Sequence, residues 1–281
     1  MDQALGLAYL YRQAAKDYDL IVVDTGSHDI LLRVLSMPDS FRWLVRLLFG
    51  LDREPGYSVA SMDRAILPAN LVNLLPLDWI NQIQEGRSQF ERIRDYITDP
   101  SRTTVRYVLR PDSAALSQAQ LAIPAFHLHS MPVDALIVGP MLPPDVHDAR
   151  LSEEAGLQHE VAASAARIWH NRPVFHMLQG MTTGSPTAFA EFGSTIYDDQ
   201  PPDASFGISA PIEYGSGTPP AIAINLPGVR RETLALTLSG DELIVRVGPY
   251  RRHILMPKAL RGTSNIRASR EGERLIVRRR E

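Results

Sequence analysis

The sequence predicts an α/β protein: a parallel, doubly wound sheet with a helical insertion, followed by an all-β sandwich. Two observations carry this. Up to about residue 200, amphipathic helical stretches alternate with short, continuously apolar runs, the mark of strands buried on both faces of a parallel sheet. Beyond a stretch dense in Pro, Gly and Ser, the periodicity changes to two residues, as in antiparallel strands with one wet face.

Each element follows in order. Residues 3–17 place apolar side chains at helical spacing, and Asp2 is unlike the basic start of a signal peptide. LIVVDT (20–25) is the first strand candidate. The next strand candidate begins only at residue 105, so 36–100 is too long for a simple crossover; it reads as an apolar helical subdomain with a helix at 78–97. Three strands, VRYVL (105–109), ALIVG (135–139) and VFHML (174–178), alternate with helices at 113–130, 151–170 and 186–198. DDQPPDASFGISAPIEYGSGTPP (198–220) separates a domain at 1–200 from one at 205–281. Strands are then expected at 221–225, 233–238, 242–247, 250–255 and 274–279, with Ser239-Gly240-Asp241 as a hairpin turn. The second domain is expected to fold alone, because few residues of the link are suited to dock it.

Composition removes several functions. The 281 residues are 44% hydrophobic with a formal charge of −3, which gives no basic face for nucleic acid or an anionic membrane. There is no cysteine, which excludes disulfides, thiolate metal sites and sulfur redox chemistry. No run reaches the ~20 apolar residues of a spanning helix, and the chain reads as cytoplasmic. Ser27, His28 and Asp29 hold the residue types of a nucleophilic triad, but sequence neighbours cannot aim their side chains into one relay. His127 and His129, and His170 and His176, have no acidic partner at a recognised metal spacing and read as ordinary core or surface histidines. No catalytic residue and no metal ligand is assigned.

Asp24 is the informative position. A strand that ends in a carboxylate presents it where doubly wound folds bind ligands, although the same residue also serves as a helix cap. The segment around it, YDLIVVDTGSHDILLRVLSMPD (18–39), resembles the switch segment of the arsenite-pump and tail-anchored-protein-targeting ATPases, YD-hhhhD-T-A-P-T-G-x-T-L-R-L-L-S-L-P. Asp24, Thr25, Arg33, Leu35, Ser36 and Pro38 fall in register. VRYVLRPDSAALSQAQLAI (105–123), PVDALIVGPMLP (132–143) and RPVFHML (172–178) are similar to later family segments in the same order. INLPGVRRETLALTL, VGPYRRHILMP and SREGERLIVRR resemble the α-crystallin or small heat-shock domain that ends many bacterial members.

The resemblance implies an incomplete P-loop NTPase-like sheet, with Asp24 and Thr25 as the remnant of a nucleotide and magnesium switch. ATP and Mg²⁺ are implied for complete members, and no cofactor for this chain alone. Only two lysines occur, Lys16 and Lys258, and neither stands in a Gly-Lys-Ser/Thr loop, so no ATP hydrolysis is expected from the chain by itself. The family's Ala-Pro-Thr-Gly stands as Gly26-Ser27-His28-Asp29, and its adenine-reading Asn as Gly139. Met1-Asp2-Gln3 matches an internal point of the family, which suggests a split or truncated gene, or a second chain supplying the loop. The strand leading into that loop would lie between 20–25 and 105–109. Its absence is expected to be closed by direct pairing of those two strands, by a partner chain or by a second copy.

In the targeting branch the helical region forms a groove for apolar client helices. Trp43, Leu44, Leu47, Leu48, Phe49, Leu71, Leu74 and Leu75 are the groove candidates, with a helical cap packed on its own domain as the other reading. The expected function is ATPase-like targeting or chaperoning of hydrophobic segments. A non-catalytic interaction or regulatory protein that keeps only the scaffold and sandwich is the alternative.

Overall fold

This computed structural model describes residues 6, 9, 11–13, 16, 18–49, 77–179, 184–198, 200, 201, 203–206, 210–215, 220–239, 241–261 and 266–279. The chain divides into two compact units, Met1–Thr98 and Asp99–Glu281.

The first unit is helical where it is described. Helix α1 (His28–Phe49) packs on α2 (Leu77–Ile97). Leu32 and Leu35 are buried, and Val34 meets Ile93, Ile97 and the half-buried Tyr96 between the two helices. Arg94 of α2 ties them further by donating to Asp39 of α1 at 3.1 Å.

The expected strand at 20–25 is not formed. These residues are irregular chain with Leu20, Ile21, Val22 and Val23 exposed, Val22 to 85%. A β-prone run gains little from extension without a hydrogen-bonding neighbour. Helix α1 begins three residues after Thr25, ahead of the helical subdomain expected from residue 36, and continues through Pro38.

The second unit opens with three parallel strands in the order β1 (Val105–Leu109), β2 (Val133–Met141), β3 (Val174–Leu178). Central β2 is buried at every position but Pro140, as its unbroken apolar run requires. The crossovers are α3 (Ser113–Leu128) and α4 (Ala149–Ile168), and α5 (Pro186–Ile196) follows β3. Each helix starts on a side-chain cap: Asp112 accepts from the Ala115 N–H, Asp148 from Arg150 and Leu151, and Ser185 from Ala188.

The described residues just after α5 are held against β1 and β3. Phe206 and Tyr197 sandwich the Arg106 guanidinium, with Cζ 5.2 Å and 5.0 Å from their ring centroids, and Arg106 donates to the Ala204 carbonyl at 2.6 Å. Both rings also pack on Phe175 of β3.

The sandwich pairs a four-stranded sheet with a three-stranded one, both antiparallel. The first has the order β4 (Ile212–Gly215), β5 (Ala221–Asn225), β10 (Arg274–Arg279), β9 (Ile266–Glu271). The second is β6 (Leu234–Ser239), β7 (Glu242–Val247), β8 (Tyr250–Leu255). Strands β4 and β9 were not foreseen. The sandwich core joins Ile222, Ile224, Val245, Val247, Ile254, Leu275 and Val277, and it also contains Leu128 of α3, with Leu121 packed against it. The strands therefore do not close their core alone.

Candidate functional site

The ligand edge of a doubly wound sheet is the carboxyl end of its strands. Here several groups at that edge have partners in their own chain. Arg110, just past β1, pairs with Asp112 at 3.0 Å, and Asp112 already caps α3. The Leu142 N–H after β2 goes to Gln158 of α4, and the Gln179 N–H after β3 to the Met141 carbonyl.

Gly139, where the resembled family carries its adenine-reading Asn, is sealed. A Cβ there would stand 2.6 Å from both Cβ and the carbonyl oxygen of Met177 on neighbouring β3. Real Cβ atoms do not approach backbone that closely, so Asn fits only if the strands move apart.

In the first unit, the Asp24 carboxylate accepts the Gly26 N–H at 2.8 Å, and Gly26 takes φ +62. This local turn precedes the start of α1. Thr25 is half-buried beside it. Of the groove candidates, Trp43, Leu44, Leu47, Leu48 and Phe49 lie on α1, but their side chains are outside the described residues, as are Leu71, Leu74 and Leu75 altogether. What the structure does place is an exposed pair on the same helix, Ile30 (43%) and Met37 (42%), two turns apart.

A second constellation lies where α3, β2 and the sandwich meet. His127 is buried, and its Nε2 accepts the Val133 N–H at 3.1 Å. Its Nδ1 is turned toward the Asn225 main chain without making a full hydrogen bond. Burial, reinforced by the Arg172 charge, holds its pKa down at about 3. Arg172 donates to the Val133 carbonyl and to Glu273 of the sandwich, at 2.9 and 3.3 Å. Trp169 is fully buried against the Pro227-Gly228 turn, and Arg252 of β8 donates to the Leu128 carbonyl. Sequence reasoning placed His127 among bland histidines; it is a core residue, and it sits at a junction that no spacing announced. Among the described residues no group of three His, Cys, Asp or Glu is arranged to hold a metal, and no helix is long and apolar enough to cross a membrane.

A parallel α/β sheet of P-loop NTPase type, a switch-like Asp ahead of a helix and a small antiparallel sandwich define a protein of the nucleotide-switch ATPase class. The chain belongs to the anion-transporting ATPase family, whose model matches residues 1–197. Residues 220–278 match a second model, described as an HSP20-like domain found in the arsenical-pump ATPases. One relative is a protein of Aquifex aeolicus provisionally named arsenical pump-driving ATPase 1, 26% identical over 99% of this chain and 71% of its own length. Another, from Chlorobaculum tepidum and provisionally named arsenical pump-driving ATPase, is 23% identical over 93% of this chain and 65% of its own. An uncharacterised protein of Streptomyces coelicolor is 25% identical over 92% and 65%. The chain thus spans about two thirds of the length of such relatives.

Complete family members imply ATP and Mg²⁺. In this chain the Asp24 carboxylate accepts the Gly26 N–H, a Cβ at position 139 would press on Met177, and the 281 residues contain no Gly-Lys-Ser/Thr to cradle phosphates.

Proposed function

We propose that these residues form the switch and client-handling part of a cytoplasmic ATPase of this family, one that receives hydrophobic segments of other proteins, and that they do not hydrolyse ATP by themselves. The observation that carries the reading is the apolar face of α1. Ile30 and Met37 stand exposed seven residues apart, and the same step in the sequence falls on Leu44. Anchors at that spacing are how an apolar helix lies along another. Leaving two such side chains about two-fifths in water forfeits roughly 1 kcal/mol each relative to full burial, which a bound apolar helix would recover.

The loss of hydrolysis rests on electrostatics. Phosphoryl transfer is driven almost wholly by positioned positive charge and backbone N–H groups, and the Gly-Lys-Ser/Thr loop that supplies them is not in this sequence. A chain or segment that brings the loop would complete the site. The outer edge of β1, with Val108 exposed to 60%, suits the strand that leads into it.

Two measurements test the proposal. An apolar helical peptide of ~20 leucine-rich residues should bind the full chain, and Ile30→Asp with Met37→Asp should weaken it at least about tenfold; equal binding by the variant defeats the α1 face. Calorimetry of the full chain should find no micromolar affinity for MgATP, and Asp24→Asn should leave thermal stability and peptide binding nearly unchanged. Micromolar Mg²⁺-dependent binding would refute the claim that the site is incomplete. If neither peptide nor nucleotide binds, the alternative of a non-catalytic interaction protein stands, which the closure of Gly139 by Met177 already favours.

A further inference from the structure

The outward face of the three-stranded sheet carries an uncompensated pair of cations. Arg246 of β7 and Arg251 of β8 are directly opposed Cα partners, and both are exposed. Like charges so placed repel one another across the strands. Glu242, on the same face of β7, is taken by His253 of β8 at 3.1 Å. Among the described residues neither arginine has an acidic partner. Between the two pairs stands the half-buried Ile244, so the face combines arginine with apolar surface, the composition enriched at protein interfaces. The other sheet has a similar pair, Arg267 opposite Arg278, but the Ser269 hydroxyl at the centre of that outer face is already buried.

The chain itself holds the complement. Residues 220–281 contain 13 Lys and Arg against 6 Asp and Glu, whereas 1–219 contain 16 against 26. Helix α4 displays the acidic excess in a defined place. Leu157 is 55% exposed, and Glu153, Glu154 and Glu160, all exposed, lie one turn from it on the same helical surface. Arg150 is the only Lys or Arg over 149–160, and Glu154 accepts from the neutral Gln158 Nε2 at 3.1 Å.

We propose that the Arg246–Arg251 face of one molecule docks on the Glu153–Leu157–Glu160 face of α4 in a second copy. The arginines neutralise their mutual repulsion against the carboxylates, while Leu157 meets the Ile244 strip. Because the two faces differ, the contact is head-to-tail. It grows into a ring or an open chain rather than closing as a two-fold dimer.

Sedimentation of the full chain against protein concentration and salt tests this. Association is expected at low ionic strength and weakens at ~0.5 M salt, where charges more than a few ångströms apart are screened. Arg246→Glu with Arg251→Glu, and separately Glu153→Arg with Glu154→Arg and Glu160→Arg, should each weaken association at least about tenfold. Arg246→Ser with Arg251→Ser should weaken it less, and circular dichroism checks that each variant is folded. Mixing the two charge-reversed variants should restore association, because each reversed face then meets the other variant's reversed face and each native face a native one. A wild-type monomer at ~100 µM in low salt overturns the proposal. So does a reversed variant that associates like wild type, or an arginine face whose only measurable partner is anionic vesicles.

Discussion

At the scale of single residues, the most constrained positions are those where the α/β part touches the sandwich. His127 is held neutral, with a pKa near 3 against an ordinary 6.5. Because the folded value lies below the unfolded one, the unfolded chain binds more protons between them. The stability this neutral group contributes is complete above about pH 6.5 and is lost as pH falls toward 3, with a limiting slope of about 1.4 kcal/mol per pH unit. Urea denaturation from pH 7 to 4 should show that slope, and His127→Gln, which keeps an acceptor for the Val133 N–H, should flatten it. An unchanged pH dependence would mean His127 is not the titrating group. Gly228 is constrained twice over. Its φ is +70, and a Cβ there would lie 2.5 Å from Trp169 Nε1. Gly228→Ala should therefore cost about 2 kcal/mol or more in a denaturant titration, through backbone strain and overpacking together.

At the scale of elements, α3 serves two neighbours. Its first turn stands at the carboxyl edge of β1, capped by Asp112, while its last turns supply Leu121 and Leu128 to the sandwich core. Leu128→Ala should cost roughly 2–5 kcal/mol, as for other fully buried leucines, and lower the melting of both parts together. A loss confined to one part, seen by Trp169 fluorescence against far-ultraviolet circular dichroism, would contradict the sharing. Sequence periodicity made the elements between 105 and 196 legible, because each strand was a clean apolar run and each helix had a capping residue at its start. It failed where tertiary surroundings decide. LIVVDT reads as a strand but has no ladder, IEYG in β4 is hidden in a Pro/Gly-rich link, and IRASRE in β9 has too few apolar residues to show alternation. Asp24 was legible as a position of interest; the local turn its carboxylate closes with Gly26 was not among the uses the sequence suggested.

At the scale of the whole second unit, the expectation of a self-sufficient sandwich needs amendment. Residues 205–281 alone lack Leu121, Leu128 and Trp169, all packed on sandwich residues in the structure. That fragment should melt well below 99–281, and the latter should unfold in a single transition. Equal melting temperatures would restore the independent domain. The interior position of β10 between β5 and β9 has a further consequence, for the order in which the molecule can be made. A ribosome releases α3 long before the residues of β10, by roughly ten to thirty seconds at ~5–20 residues per second. By then β5, β7 and β8, on which α3 packs, are already made, but β5 and β9 have no strand between them until β10 arrives. Completion of the four-stranded sheet thus waits on the arrival of residues 274–279, and a stop codon a few positions earlier would leave the newborn chain with two unpaired strand edges.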